Sequence, residues 1–336
     1  VAVGPRRNLD KESMNVRRIL SHLSPADLVT ISFLLFLSLL NLIFAARVEV
    51  WYILVTINVV MSMLIVILAV NAETRRTKLL IGMHRWYLYP MVIGVFKELY
   101  FMIKPIHPID YDQLLIQIDY WMFGVNPTEW LAQISHPVLT EVLQVAYSSY
   151  YLLFIALGVQ IYRRYPLRDF DRAGFLLVYG FFLSYLGYFL LPAVGPRFTL
   201  HNFHLLNEEL PGLLFTNALR DFVNFGESIP KGIPNPVDVV QRDVFPSGHT
   251  QLSLVVVYLA FQHRTSLRWV LGITVTLLII GTVYLRYHYV IDILAGGAFF
   301  FFNVWSGHHI ESWWNRVRNR LSHAILVPDQ PPEPPA

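Results

Sequence analysis

Eight apolar runs, each near the length that crosses a bilayer as a helix, divide this chain at roughly 28–46, 51–70, 86–103, 138–162, 173–191, 249–263, 269–285 and 290–306. The fold class they imply is all-α: a polytopic membrane helix bundle of about eight transmembrane helices. Composition agrees, since 55% of the 336 residues are hydrophobic and only 15% charged, a balance that excludes an ordinary water-soluble enzyme. A net charge of +3 provides no basic surface for nucleic acid, and no nucleic-acid partner is expected. The chain has no cysteine, which removes disulfides, thiolate metal sites and cysteine nucleophiles together.

Orientation follows from the basic residues, which accumulate on the cytoplasmic side of membrane proteins. The amino-terminal stretch (Arg6, Arg7, Lys11, Arg17, Arg18), the connections near 71–85, 163–172 and 264–268, and the tail carry most of the 26 Lys and Arg. Alternate connections carry few. Both termini are therefore expected in the cytoplasm of an integral membrane protein, with a bacterial plasma membrane as the expected location. The first run follows a charged segment and is succeeded at once by another apolar run, so it reads as an anchor and not as a cleaved signal.

The organisation expected is a cytoplasmic segment at 1–27, two additional helices at 28–70, a six-helix catalytic core at 86–306, and a cytoplasmic tail at 307–336 whose proline-rich end, PDQPPEPPA, is disordered. Two outer segments are too long for simple turns. Residues 104–137 place Asp110, Asp112, Asp119 and Glu129 among aromatic and aliphatic residues, which suggests a helix lying in the interface. Residues 192–248 suggest a lid or entrance.

Chemistry-bearing residues collect at three helix junctions on one side of the membrane. Arg197 follows the fifth run, Pro246-Ser247-Gly248-His249 opens the sixth, and Arg286-Tyr287-His288-Tyr289-Val290-Ile291-Asp292 joins the seventh to the eighth. His288 and Asp292 share a face if that turn is helical; Asp292 would then fix the His288 tautomer and leave its other nitrogen as a nucleophile. The start of the sixth helix, with Ser247 as its cap and Gly248 beside it, favours a bound anion. His249 would face that anion as a proton donor, and Arg197 and Arg286 offer planar forks for phosphate oxygens.

The F-P-S-G-H-T at 245–250 and R-Y-H-Y-V-I-D at 286–292 resemble the second and third signatures of the type 2 phosphatidic acid phosphatase superfamily, which includes lipid phosphate phosphatases and vanadium haloperoxidases. The resemblance implies that His288 attacks phosphorus to give a phosphohistidine, that Asp292 orients it, that His249 is the general acid, and that Arg197, Arg286, Ser247 and Gly248 bind the phosphoryl oxygens. It implies no metal and no cofactor. The substrate it implies is a membrane lipid, dephosphorylated or relieved of its headgroup at the outer face.

The match has departures. The first signature, K-x6-R-P, is represented by A-V-G-P-R-F with Pro and Arg reversed and Leu190 in the place of Lys. In the third, Gly281 and Thr282 stand where Ser and Arg are usual. Arg286 could supply that cation and Lys97 the other. In this respect R-Y-H-Y-V-I-D is similar to the His-Tyr-x-x-Asp signature of sphingomyelin synthases and inositol phosphorylceramide synthases, so both a phosphatase and a headgroup transferase stand open.

Lys97 and Glu98 lie about 9 Å inside the third run at 1.5 Å per residue. Such residues generally face a polar cavity; Lys97 could pair with Glu141, face the site or snorkel. His201, His204 and His249 could make a zinc site, an alternative the phosphotransfer reading does not need. A transporter would place its polar groups near the midplane in two related halves, which this chain does not do. A decayed scaffold would have lost His249, His288 or Asp292.

Overall fold

A computed structural model of the chain describes residues 15–326. The proline-rich stretch PDQPPEPPA and the first residues of the basic amino-terminal segment lie outside the described residues. Among the described residues the regular structure is helical, with no strand. The principal helices are α1 (Pro25–Ile43), α2 (Trp51–Arg75), α3 (Lys78–Trp86), α4 (Leu88–Ile106), α5 (Asp112–Phe123), α6 (Pro137–Ser148), α7 (Tyr150–Arg164), α8 (Leu167–Leu190), α9 (Thr216–Gly226), α10 (Gly248–Gln262), α11 (Arg268–Tyr284) and α12 (Val290–Leu326), joined by shorter helical turns.

Local sequence sets several of these boundaries. Ser24 accepts from the Asp27 N–H at 3.2 Å while Asp27 takes the Ser24 N–H at 2.7 Å, a capping box ahead of Pro25 at the first helical position. Pro137 opens α6 in the same way. Ser247 caps α10, its hydroxyl accepting from the Thr250 N–H at 3.2 Å.

Each apolar run of the sequence folds as helix, but not all are full spans. Five helices are long and apolar enough to cross a membrane (α1, α2, α3 with α4, α8, and α12 to His323), and α6 with α7, bent by 51° at Ser149, makes up to six. By length and composition alone, the eight apolar runs thus yield five to six full-length candidate spans. α10 has 15 residues and α11 has 17.

The chain divides into two compact units: one takes the chain up to Ala45, Val50–Met91 and Trp305 onward, the other Ala46–Glu49 and Val92–Val304. In the first, Leu23, Ala69 and Trp314 form a buried cluster, and Trp314 Nε1 donates to the Leu23 carbonyl at 2.9 Å. Asp27, fully buried, accepts from the Tyr87 hydroxyl at 2.8 Å and lies 2.9 Å from His84 Nε2, so the charge is paired as burial demands.

The second unit carries every signature of the sequence. α8 is buried along most of its length; α10 packs on α7, α8 and α11, and α6 packs on α9 and α11. α5 is a helix within 104–137, with Trp121 85% exposed and Leu115 and Asp119 buried on the other side.

Candidate active site

The three junctions meet. The Arg197 N–H donates to the Arg286 carbonyl at 3.0 Å, and the Ser247 N–H donates to the Asp292 carbonyl at 3.0 Å, so the first signature is bonded to the third and the second to the third. Gly195 makes the first contact possible: its φ is +98° and a Cβ there would stand 2.8 Å from the Tyr287 carbonyl oxygen.

His249 and His288 face each other edge to face, ring centroids 5.6 Å apart. His249 is held between Tyr147 (4.5 Å, stacked) and Tyr150 (4.3 Å), and Tyr147 stacks in turn on Tyr287 at 4.2 Å. The Tyr147 to Tyr151 run at the bend between α6 and α7 thus lines the site with two of its rings.

His288 is not in a helix, which corrects the expected shared helical face with Asp292. Helix α11 ends at Tyr284, and the N–H groups of Tyr287 and His288 both return to the Thr282 carbonyl, at 2.9 and 3.0 Å. The turn passes through Arg286, whose φ of 69° is left-handed, a conformation that favours glycine. Asp292 lies in the first turn of α12, where its carboxylate accepts the Tyr289 N–H at 2.8 Å. His288 Nδ1 stands 3.4 Å from Asp292 Oδ2 and makes no hydrogen bond of good geometry. Burial draws His288 down to about 4, against Glu227 and the Val244 carbonyl, which favour the charged ring; the imidazole is neutral at pH 7.

Thr282 also explains the departure from Ser-Arg in the third signature. It is fully buried, and its hydroxyl donates to the Ile279 carbonyl at 2.6 Å. Arg286, two residues before His288, is the cation of this junction. Leu190, in the place of the first-signature Lys, is 69% exposed at the end of α8 and points away from the site.

Both candidate phosphate-binding guanidiniums already hold carboxylates of the outer segment. Arg197, 2% exposed, pairs with Glu227 and donates to Asn224 Oδ1 at 3.0 Å, with its guanidinium 4.7 Å from the Tyr287 ring centroid. Arg286 pairs with Glu209, and its Nε has no partner. Ser247 is fully buried. Gly248 leaves room for the Tyr188 hydroxyl, which a Cβ would meet at 2.5 Å, and its carbonyl accepts from Tyr150 at 3.2 Å.

Lys97 reaches this layer rather than Glu141. Its Nζ donates to the Gly226 carbonyl and, at 3.0 Å, to Ser228 Oγ, within electrostatic range of Asp243 and Glu227. Burial and neighbouring Glu227 push Asp243 well above the usual carboxylate range, against Arg197 and Lys97. Glu141 instead accepts from the N–H groups of Leu213 (2.8 Å) and Phe215 (2.6 Å) and from the Thr216 hydroxyl (2.7 Å).

The acids of α5 carry a task that the sequence does not announce. Asp112 accepts from the N–H groups of Val194 (3.0 Å) and Gly195 (2.8 Å) and from the Tyr289 hydroxyl (2.8 Å). Asp119 accepts from the N–H groups of Val290 (2.8 Å) and Ile291 (2.9 Å). One helix thereby fastens the first and third signatures, and its second acid meets the positive end of α12. Burial pushes both carboxyls upward, opposed by these donors.

The zinc alternative finds no geometry. His201 Nε2 lies 3.0 Å from Thr128 Oγ1 and His204 Nε2 3.1 Å from the Pro234 carbonyl; among the described residues no group of three or more His, Cys, Asp or Glu is placed to hold a metal.

Comparison with known proteins bears on the same stretch. A PA-phosphatase related-family protein of Dictyostelium discoideum is 26% identical over 189 residues, covering 51% of this chain and 32% of that relative. The match thus spans about a third of the relative's length. No solved structure matches. A family model described as the PAP2 superfamily matches residues 113–305, which take in all three junctions and more than half of the chain. The chain belongs to the PAP2 superfamily.

Proposed function

We propose that this protein moves the phosphoryl group of a lipid phosphate or phospholipid headgroup through a phosphohistidine on His288. What supports the reading above all is the edge-to-face pair of imidazoles, 5.6 Å apart and inclined at 63°, delivered by two separate junctions that are bonded to each other, that of His288 also to the one carrying Arg197. The ring nitrogen of His288 that faces away from Asp292 attacks phosphorus. As the P–N bond forms, the P–O bond to the lipid alcohol breaks, and His249, whose charged form burial and His288 disfavour and which the incoming phosphate anion allows to take up a proton, gives that proton to the departing oxygen. Asp292 stabilises the positive charge that grows on His288. In the second step His249 takes a proton from water or an acceptor alcohol, whose oxygen displaces His288 from phosphorus. The guanidiniums, with the first-turn N–H groups of α10, bind the phosphoryl oxygens. No step calls for a metal.

Transfer to an alcohol is a second reading, favoured by the enclosure of the two imidazoles by Tyr147, Tyr150 and Tyr287, each at most 5% exposed, since a closed site disfavours hydrolysis. The side of the membrane is read from the Lys and Arg distribution: the site lies on the non-cytoplasmic face and both termini are cytoplasmic.

The test is incubation of the purified protein with lipid phosphates and phosphodiesters, with and without acceptor alcohols. Free phosphate marks the hydrolase, and a headgroup on the acceptor marks the transferase. His288→Ala abolishes both turnover and acid-labile phosphate on the protein; turnover at the unaltered rate in this variant overturns the mechanism. His249→Ala slows phosphoenzyme formation least when the leaving alcohol is acidic.

A further inference from the structure

The outer segment contains one helix, α9, whose two ends are held by opposite charges from two membrane-spanning helices. At its amino end, Glu141 of α6 accepts the N–H groups that open the helix. At its carboxyl end, Lys97 of α4 donates to the Gly226 carbonyl. An anion at the start and a cation at the finish both complement the helix dipole.

The two clamps tie α9 to both helices: Lys97 lies nine residues before Ile106, the last residue of α4, and Glu141 four residues into α6, about 14 Å and 6 Å from the respective helix ends at 1.5 Å per residue. A surface helix of a membrane protein rests with its apolar face between headgroups and acyl chains.

The faces of α9 are divided accordingly. Thr216 and Arg220 are turned inward, and Arg220 donates to the carbonyls of Leu206 (3.3 Å) and Leu210 (2.7 Å). Outward stand Phe222 and Phe225, with Leu213, Leu214 and Phe215 in the preceding turn; Leu214 is 82% and Phe225 80% exposed. Asp221, the exposed charge of the helix, is paired with Lys231 at 2.7 Å. Around Glu141, the outward side chains of α6 are Val138, Val142 and Val145, so the apolar face of the lid continues a lipid-facing surface without a polar break.

We propose that the face formed by Leu213, Leu214, Phe215, Phe222 and Phe225 docks on the lipid of the leaflet at the site's end of the bundle. The acids that hold the guanidiniums, Glu209 and Glu227, bracket this segment in sequence, so the lipid contact and the phosphate site are joined by the same short stretch of chain.

The absence of cysteine gives a clean test. Leu214→Cys, Phe225→Cys and, as a water-facing reference, Lys231→Cys each create one site for a nitroxide label on the full chain in phosphatidylcholine nanodiscs. Collision with oxygen, which concentrates in lipid, is expected to exceed collision with a water-soluble nickel chelate at 214 and 225, and the ratio to reverse at 231. Ratios at 214 and 225 equal to that at 231 overturn the proposal. So does shielding from both reagents together with spin–spin broadening, which would assign the face to a second copy. The measurement needs no turnover, so its outcome is separate from that of the phosphohistidine.

Discussion

The backbone N–H of Arg197 donates to the carbonyl of Arg286 at 3.0 Å, so the two candidate phosphate-binding cations are joined through main chain. Their side chains are not joined; each goes to a different acid of the outer segment. The two forks are thus fixed in spacing by backbone and held in pose by carboxylates that a phosphate could replace.

Arg286 sits in a left-handed conformation that costs a non-glycine residue roughly 1–2 kcal/mol. Arg286→Gly removes that cost along with the cation. Thermal stability is expected to hold or rise, while phosphoryl transfer falls about ten- to a hundredfold, the worth of a lost charge-assisted hydrogen bond of roughly 1.5–3 kcal/mol. Melting curves and turnover on one preparation check both halves.

Burial lowers His288 to about 4 from an unfolded value near 6.5. Between these values the unfolded chain binds the extra proton, so stability rises with pH through this window and is lost as pH falls toward 4, by about 3 kcal/mol in all. The acid limb of kcat/KM for His288 in the free enzyme is expected well below 6.5. In denaturation series, His288→Asn flattens the stability profile between pH 4 and 6.5.

Glu227→Gln leaves Arg197 buried with a neutral partner. Breaking such a pair costs roughly 3 kcal/mol, and inorganic phosphate is expected to restore more stability to the variant than to the unaltered protein, because it supplies the missing negative charge. Glu227 also favours the charged form of His288, so its removal shifts the acid limb to lower pH. Melting temperature against phosphate concentration is the measurement.

Glu141→Gln and Lys97→Met each remove one clamp of α9. A charge at a helix end is worth about 0.3–1 kcal/mol, and hydrogen exchange in residues 213–226 is expected to quicken severalfold in either variant while α8 keeps its protection.

Much of this was legible in sequence because it is local. The apolar runs, the Ser247 cap and the two imidazole junctions follow from spacing alone. One expectation failed for a physical reason: His288 lies in a turn that closes on Thr282, a pattern whose usual glycine is here Arg286. What could not be read were the long-range partners. Glu209 and Glu227 are ordinary acids in a polar loop until the fold sets them on Arg286 and Arg197. Asp112 and Asp119 looked like the wet side of an interfacial helix, whereas they bond the backbone of two signatures. The signal available was the depth of Lys97: a cation inside an apolar run implies a partner at that level, and the partner is the end of α9.

The shortness of α10 has a consequence for how substrate meets the site. Fifteen residues measure about 23 Å, against a hydrocarbon thickness of about 30 Å. Under the proposed function, the capped end of α10 then stands roughly 7 Å short of a full crossing, and a lipid phosphate brought to the first-turn N–H groups there would keep its tails within the leaflet.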